Sequence, residues 1–276
     1  MAEMPIDTRL KVEQMIEDGL ITQKPRPYLG MSMLAEPCQR KLWYGFRMCS
    51  ELKISPRVNR LFGRGHNEEP IIQNDLRKIG VICLVDPNNQ PEFIDGNGHM
   101  KGHPDDQLLN IPDAPKTPHL GEYKTHNKKS FTHLQKHGLK KSKPIHYGQM
   151  QVYMRKWGLI RGLYVAVCKD DDSRYYERVT LDIQYADELL KKGRDIISSE
   201  TPPSKRFTDP EYYECKWCNY YEICHHGILP LKNCRTCYYG DIHDEGKWKC
   251  SGHKIELSFQ QQQIGCHRHK YMKGLR

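Results

Sequence analysis

The sequence predicts an α/β fold in which a mixed β-sheet is flanked by helices. Two observations carry this prediction. Segments with helical and strand-like spacing follow one another in the order helix, three strands, helix, two strands, helix. After Pro230 the composition becomes rich in cysteine and poor in apolar periodicity, which places a boundary at about residue 227. We therefore expect an N-terminal helix and linker (1–30), an α/β core (31–226) and a small tail (227–276).

Each element is predicted from its spacing of apolar residues. Helices are expected at 7–20 (ending near Gly19), about 32–46, 62–80 after a turn, 145–158 and 183–197. Strands are expected at 81–85, 99–109, 119–126, 159–169 and 174–182. KPRP at 24–27 breaks the chain after the first helix. Because a helix interior disfavours proline, Pro70 predicts a helix that begins near Glu68, with His66 on the preceding turn.

The composition narrows the class of protein. The chain has 276 residues, a net charge of +9 and a mean hydropathy of −0.79, and the positive excess suits a polyanionic partner. It contains no apolar run long enough to cross a bilayer, and its first residues lack the apolar core of a signal peptide. We therefore expect a soluble, intracellular protein. Its eleven cysteines then indicate metal ligands rather than disulfides.

An acidic constellation surrounds the stretch HLGEYKTH at 119–126. Glu122 and Lys124 lie two positions apart in a predicted strand, so they project to the same side. Of Asp105 and Asp106, which are neighbours and face opposite ways, only one can join Glu122. With the imidazole of His66, two carboxylates suit Mg²⁺ or Mn²⁺, and a metal with a lysine beside it hydrolyses phosphodiesters. The same residues also fit a surface ion pair, a helix cap and a turn.

The order of these motifs resembles that of the PD-(D/E)XK nuclease superfamily, in its RecB-type branch. G-H-P-D at 102–105, E-Y-K at 122–124 and Q-x-x-x-Y at 149–153 carry the resemblance, which covers roughly residues 31–226. It implies a restriction-endonuclease-like core. The roles that it implies are metal ligation by His66, Asp105, Glu122 and the backbone carbonyl of Tyr123, catalysis by Lys124, and positioning of DNA or of the lysine by Gln149 and Tyr153.

The resemblance implies a Mg²⁺- or Mn²⁺-dependent deoxyribonuclease, an exonuclease that acts on single strands or duplex ends. Its setting would be phage or prophage recombination in the cytoplasm of a bacterial host, with a phage annealing protein or a helicase as partner. Two alternatives remain open. One is a nuclease of CRISPR spacer acquisition with the same chemistry, and the other is a non-catalytic nucleic-acid-binding protein on a nuclease scaffold. The sequence contains no P-loop motif.

The cysteines form two sets. The first resembles the set in the iron–sulfur exonucleases of CRISPR adaptation and in AddB-type nucleases, which implies a 4Fe–4S cluster, although four thiolates also suit zinc. Its members are Cys38, Cys215, Cys218 and Cys224. The second set, spaced C-x2-C-x12-C-x15-C, predicts a zinc ribbon or knuckle in the tail. Its members are Cys234, Cys237, Cys250 and Cys266, with His253, His267 and His269 as alternative ligands.

The stretch 125–148, which follows the candidate catalytic strand, contains lysines but no acidic residue. In a nuclease this segment would line the DNA path, with lysines on phosphates and the rings of Phe131 and Tyr147 on bases. The lysines concerned are Lys128, Lys129, Lys136, Lys140, Lys141 and Lys143. A solvated loop with a basic bias is the alternative.

Overall fold

A computed structural model describes residues 6–19, 25–51 and 54–275 of the chain. Residues 1–5, 20–24, 52–53 and 276 lie outside the described part, and with them the end of the first predicted helix and most of the predicted linker. The helices within the described ranges are α1 (Ile6–Gly19), α2 (Gln39–Phe46), α3 (Pro56–Lys78), α4 (Lys128–Ser142), α5 (Pro144–Trp157), α6 (Ile183–Ser198), α7 (Tyr213–Lys216), α8 (Tyr221–His225) and α9 (Phe259–Gln262). None of them is both long and apolar enough to cross a membrane.

The strands form a central mixed sheet and two small ones. Their bounds are β1 (Leu29–Gly30), β2 (Ile82–Cys83), β3 (Phe93–Asp95), β4 (Met100–Gly102), β5 (Asp106–Leu109), β6 (His119–His126), β7 (Arg161–Cys168), β8 (Arg174–Thr180), β9 (Gly240–Ile242), β10 (Trp248–Cys250) and β11 (Ile255–Leu257). The central sheet has the order β2-β5-β6-β7-β8, and the small sheets have the orders β1-β4-β3 and β11-β10-β9. In the central sheet β6 and β7 are parallel, and the other neighbours are antiparallel. The predicted mixed sheet flanked by helices is therefore confirmed.

Helices cover both faces of the central sheet. On one face α3 buries Ile72 and Leu76 against Tyr123 of β6. On the other face α4 and α5, which form the crossover between β6 and β7, pack Phe131 and Met150 into the larger core. Because side chains alternate along β6, Glu122 and Lys124 face the α5 side while Tyr123 faces α3. The candidate site is thus positioned by a strand in which six of the eight residues are buried.

Three predicted elements differ from the structure, each for a reason that involves proline. The helix predicted at about 32–46 starts only at Gln39, because Pro37 disfavours helical geometry at the residue before it. The strand predicted at 99–109 is split into β4 and β5 around Pro104, which has no N–H to donate. The prediction that a helix begins near Glu68 is wrong, since α3 begins at Pro56 and continues through Pro70.

The start of α3 is set by Ser55, whose hydroxyl accepts a hydrogen bond from the N–H of Val58, and by Pro56 in the first turn. His66 therefore lies within a helix and not on a turn, which corrects the predicted pose. The helix α4 was not predicted at all. The segment 125–148 was treated as a basic stretch, but Phe131 and Leu134 have helical spacing and are fully buried.

The cysteine-rich tail packs against the core. Trp248 of β10, which is fully buried, and Leu257 of β11 belong to the same apolar cluster as Phe46 of α2 and Met100 of β4. The ring centroids of Phe46 and Trp248 are 5.6 Å apart. His99 Nε2 also bonds to the carbonyl oxygen of His243 at 2.6 Å. The residues after 227 therefore share an apolar core with the α/β part of the chain.

Candidate active site

Lys124 lies between two carboxylates. Its ammonium donates to Glu122 Oε1 and lies 3.4 Å from Asp105 Oδ2. It also donates to the carbonyl oxygen of Tyr123 at 3.1 Å. Glu122 is fully buried, and three quarters of the Lys124 side chain is buried. An ion pair this deep in the protein is screened far less than a surface pair. The structure thus brings Asp105, Glu122, Lys124 and the Tyr123 carbonyl together in space.

The two neighbouring aspartates face opposite sides of the sheet. Asp105 accepts the N–H of Tyr123 at 2.8 Å and faces Lys124. Asp106 is fully buried on the other side, where its Oδ2 accepts the hydroxyl of Tyr123 at 2.9 Å and the amide of Gln73 at 2.9 Å. Its Oδ1 accepts backbone N–H groups, including that of Val85 at 3.0 Å. Only Asp105 joins Glu122, and Asp106 holds the strand in place.

A third carboxylate, from Glu69 of α3, joins the site although the sequence analysis did not single it out. Glu69 is 9% exposed, and the negative charge of Asp105 acts on it directly. His66 Nδ1 donates to Glu69 Oε1 at 3.3 Å, while 74% of the His66 side chain is exposed. His66 therefore approaches the acidic group through Glu69. One face of α3 is buried and has helical spacing; its residues are Glu69, Ile72, Gln73 and Leu76. This spacing is the feature of the sequence that could have predicted a buried position for Glu69.

Within the described part of the chain, the site buries three carboxyl groups, those of Asp105, Glu122 and Glu69, but only one cationic group, the ammonium of Lys124. Burial, together with the charge of Asp105, raises the pKa of Glu122 to about 8. Burial and the charge of Asp105 also raise the pKa of Glu69. Burial opposes the charge on Lys124, but the carboxylates of Asp105 and Glu122 outweigh it and raise the pKa of that ammonium. A cluster of three carboxylates and one ammonium is therefore short of positive charge, which favours a cation.

The donor set fits a divalent cation. Oε2 of Glu122 is buried and has no hydrogen-bond partner within the described ranges. A buried carboxyl oxygen without a partner is costly in a protein interior, and a bound cation would both occupy it and favour the ionised form of Glu122. Among the residues that the structure describes, no group of three or more His, Cys, Asp or Glu side chains is placed so that it could hold a metal ion as it stands. In this structure the ammonium of Lys124, which contacts Asp105 and Glu122, is the cation that neutralises part of their negative charge.

Gln149 and Tyr153 are both buried on α5, on the side that faces β4 and β6. The pKa of Tyr153 is raised to a value above its usual range by burial and then by the charges of Glu122 and Asp105, so its ring lies beside the acidic group. Gly102 makes room for it: a Cβ at that position would lie 2.6 Å from Cε1 of Tyr153. The ring is therefore held between α5 and the strand that leads to Asp105.

A directed chain of hydrogen bonds runs beside Lys124. Lys143 Nζ donates to Ser130 Oγ at 2.5 Å, and Ser130 Oγ lies 3.3 Å from His126 Nδ1. His126 Nε2 and His146 Nδ1 each lie 2.9 Å from the hydroxyl of Tyr164. Ser130 can accept from Lys143 and donate to His126, and in that arrangement His126 donates to Tyr164 and Tyr164 to His146. Burial and neighbouring positive charges lower the pKa of both imidazoles, which favours their neutral forms.

The basic segment forms a helix whose lysines face solvent. Five of the six predicted DNA-contacting lysines are exposed, and Lys143 is partly exposed. Lys128 also pairs with Asp171. The prediction that Phe131 stacks on a base is wrong, because its ring is fully buried in the core. Tyr147 is partly buried, and its ring packs on that of Tyr185 at 5.9 Å between centroids.

The first cysteine set comes together at one place. A cavity of ≈ 30 Å³ is lined by Cys38, Cys215, Cys218 and Cys224 together with aromatic and basic side chains. Cys38 is the residue immediately before α2, and the other three belong to the segment around α7 and α8. Burial, followed by the negative charges of the Cys224 and Cys38 thiolates, raises the pKa of Cys215. Residue 38 and the segment 215–224 are therefore neighbours in space.

The second cysteine set lines a larger cavity of ≈ 300 Å³ in the tail, and His253 and His269 line it as well. The sulfur of Cys266 lies 3.6 Å from His253 Nε2. His269 Nε2 lies 3.2 Å from the hydroxyl of Thr236. Burial, followed by the charges of the other three thiolates, raises the pKa of Cys234 to about 11. All four cysteines of this set therefore face one space.

No protein-family model and no curated protein sequence matches the chain. Solved structures match it at low identity. The crystal structure of SSO0001 is 19% identical, with a TM-score of 0.41, and the match covers 80% of this chain and 96% of that one. An alkaline exonuclease from Laribacter hongkongensis, LHK-Exo, is 17% identical with a TM-score of 0.43, over 63% of this chain and 88% of its own. Its complex with dAMP is 18% identical with a TM-score of 0.43, over 62% and 87%. At these values the likenesses do not identify a family for this chain.

Proposed function

We propose that this chain is a metal-dependent deoxyribonuclease that degrades DNA from its ends. One observation carries the proposal. The carboxylates of Asp105 and Glu122 meet at the ammonium of Lys124, and the remaining oxygen of Glu122 is buried without a partner among the described residues. Two converging carboxylates beside a lysine are the groups required to bind a divalent ion and to act on a phosphodiester.

Asp105, Glu122 and the carbonyl of Tyr123 would hold the ion, with Glu69 beside them and His66 behind Glu69. Bound Mg²⁺ or Mn²⁺ supplies a Lewis acid that lowers the pKa of water and neutralises phosphate oxygens. Lys124 would donate a hydrogen bond to the attacking water or to a phosphate oxygen and would stabilise the charge that develops there. The N–H of Tyr123 holds Asp105 in position through its hydrogen bond to Oδ2. Tyr153 borders the site from the α5 side and limits the space beside the two carboxylates.

The exposed lysines of α4 would hold the DNA. Because α4 starts at Lys128, directly after β6, it begins only four residues after Lys124, so DNA held along this helix would lie near the acidic group. Lysines on a helix surface contact phosphates without reading sequence, which agrees with the unselective degradation of DNA ends. Phe131 takes no part, since it is buried.

We further propose that Cys38, Cys215, Cys218 and Cys224 bind a 4Fe–4S cluster. The convergence of these four cysteines on one place supports this, as do the four soft ligands. Such a cluster would cross-link the start of α2 to the segment that contains α7 and α8, and so would hold these two parts of the chain together. A brown protein with broad visible absorbance that dithionite bleaches is the expected result. A colourless protein that contains zinc at this site would overturn the assignment.

The nuclease proposal is tested with end-labelled linear single-stranded and duplex DNA in the presence of Mn²⁺. We expect the wild-type protein to release short products from the ends, and Lys124→Ala and Glu122→Gln to lower the rate roughly 10²–10³-fold. Lys191→Ala and Glu188→Gln, which change exposed residues of α6, are the matched controls and should cleave normally. Equal cleavage by all five proteins would remove Lys124 and Glu122 from the active site, and no cleavage by any of them would favour a non-catalytic nucleic-acid-binding protein.

A further inference from the structure

We propose that Cys234, Cys237, Cys250 and Cys266 bind one Zn²⁺ ion, and that this ion locks the tail onto the α/β core. The proposal does not depend on nuclease activity. It concerns the tail after residue 227, which contains the sheet β9-β10-β11 and the helix α9.

Cys234 and Cys237 lie on a tight turn that brings both sulfurs to one end of the tail sheet. Asn233 accepts the backbone N–H groups of Arg235 and Thr236 at 2.8 and 3.0 Å and so caps the turn. The N–H of Gly240 donates to the carbonyl oxygen of Cys237 at 3.0 Å. A Cβ at position 240 would lie 2.1 Å from the carbonyl oxygen of Cys234, so only glycine allows this turn. A C-x2-C turn closed this tightly is typical of one half of a structural zinc site.

The other two cysteines arrive from different parts of the tail. Cys250 ends β10 and lies directly opposite Gly240 of β9, which places it beside the turn. Cys266 follows α9, and the residue before it packs on Lys232: a Cβ at Gly265 would lie 2.6 Å from the carbonyl oxygen of Lys232. The tail sheet and the chain after α9 thus deliver one sulfur each to the cavity that the turn borders.

The donor set at the cavity, four thiols with two imidazoles beside them, suits a metal ion better than it suits a pair of disulfides. Four sulfurs from three separate segments surround a space of ≈ 300 Å³, and His253 lies within 3.6 Å of Cys266. All eleven cysteines of the chain are free. Two disulfides would use the same four residues, but they would not require the four sulfurs to share one space. Soft thiolates in a set of four select zinc or iron, and zinc is the ion that serves structural sites of this kind.

Arg235, the first of the two residues between the cysteines of the turn, connects the site to the core. Arg235 is 1% exposed, and its guanidinium donates to the carbonyl oxygens of Phe46 at 2.9 Å and Pro27 at 2.7 Å. It also donates to Gln262 Oε1 of α9 at 3.0 and 2.7 Å and lies 4.7 Å above the ring of Trp248. Because a buried guanidinium needs every one of its acceptors, it is held only while the turn keeps its place.

A small tail with few apolar residues cannot fix that turn through its own core, so a metal is the natural cross-link. Zinc at the four sulfurs would fix the turn, the turn would fix Arg235, and Arg235 would join α2, the chain at Pro27 and α9. Release of the ion should therefore loosen the α/β core as well as the tail. Without this connection, the metal would stabilise the tail alone.

The test measures metal content and unfolding on the full chain. We expect one equivalent of zinc per chain by elemental analysis, and we expect the Co²⁺-substituted protein to show the visible absorption of tetrahedral thiolate ligation. Cys250→Ser and Cys266→Ser should lose the zinc but keep the iron. Cys224→Ser should lose the iron but keep the zinc, and Cys83→Ser, outside both sets, should keep both metals.

The coupling to the core is read from the unfolding temperature. Chelation of zinc from the wild-type protein should lower the Tm of the main transition by on the order of 10 °C. Arg235→Met should keep the zinc but should remove most of this dependence on chelation. A wild-type protein without zinc, or Cys250→Ser with full zinc content, would overturn the site. A Tm that chelation leaves unchanged would overturn the lock, and this measurement needs no variant that folds poorly.

Discussion

The backbone N–H of Tyr123 donates a hydrogen bond of 2.8 Å to Oδ2 of Asp105. The side chain of the same tyrosine points to the other face of the sheet and donates to Asp106. One residue of β6 therefore holds two consecutive aspartates in opposite directions. Asp105 is turned towards Lys124, where chemistry is expected, and Asp106 is turned into a closed set of hydrogen bonds, where it stabilises the sheet.

The two aspartates should respond differently to the same substitution. We expect Asp105→Asn to lower DNA cleavage roughly 100-fold or more with little loss of stability, because a negative ligand is removed. Asp106→Asn should destabilise the fold by about 2–4 kcal/mol, because its new amide group would face the Tyr123 and Gln73 donors and leave them unpaired. Urea unfolding and cleavage rates, measured on both variants, separate the two effects. A stable, active Asp105→Asn protein would contradict the proposed site.

Glu69 should contribute to metal binding although it lies on a helix far from the strand motif in sequence. We expect Glu69→Gln to weaken the apparent affinity for Mn²⁺ about 10- to 100-fold, because one charge of the carboxylate cluster is lost. Titration of the cleavage rate with Mn²⁺ gives this value. Glu68→Gln is the matched control: Glu68 pairs with Arg174 at 2.8 Å, so its loss should affect stability but not the metal titration. Identical titrations for both variants would remove Glu69 from the site.

His126 should make the stability depend on pH in the acid range. Burial, together with the charges of Lys143 and Lys124, lowers its pKa in the folded protein to about 4, whereas the unfolded chain has a value of about 6.5. Between these values the unfolded chain binds more protons, so the free energy of unfolding rises with pH and falls as the solution becomes more acidic. The loss should reach up to about 3 kcal/mol from this residue below pH 4.

Unfolding by urea at a series of pH values measures this dependence. His126→Gln, which keeps a donor and an acceptor but does not titrate, should have a flatter profile between about pH 6.5 and 4. His133→Gln, on the exposed side of α4, should leave the wild-type profile unchanged. If His126→Gln retained the full slope, the neutral imidazole in the hydrogen-bond chain would not be its source.

The sequence predicted the structure best at β6, where the alternation of side chains sets both the bounds of the strand and the face to which each residue points. The span of β6 was predicted as 119–126 and is His119–His126 in the structure, because its alternation and its turn residues leave little choice. The alternation also settled that one aspartate alone could join Glu122. The prediction failed at α3, because proline there removes a single hydrogen bond from a helix of 23 residues that packs on the sheet. Tertiary packing outweighs that local cost.

The residues of the candidate site were predicted only in part. Those that were missed or misplaced depend on contacts between segments that are distant in sequence. Glu69 is distant from Asp105 in sequence, so no spacing rule links them, although the buried face of α3 offered a signal. Phe131 was assigned to DNA because it lies among lysines. The same residue, read with Leu134 at helical spacing, predicts a buried position, and burial is what the structure shows. Charge around a residue does not tell which way its side chain points.

The lysines of α4 give a last prediction, on salt dependence. If Lys129 and Lys136 each contact one phosphate, then Lys129→Ala and Lys136→Ala should each reduce the slope of log K against log salt concentration by about 0.9 on duplex DNA or about 0.7 on a single strand. Binding is measured without metal, so that no DNA is cleaved. Lys191→Ala is the control, since that lysine pairs with Asp195 on α6. The size of the change also shows which form of DNA lies along α4, because the counterion atmosphere of a single strand is weaker. Slopes equal to that of the wild-type protein in both variants would place the DNA on another surface of the chain.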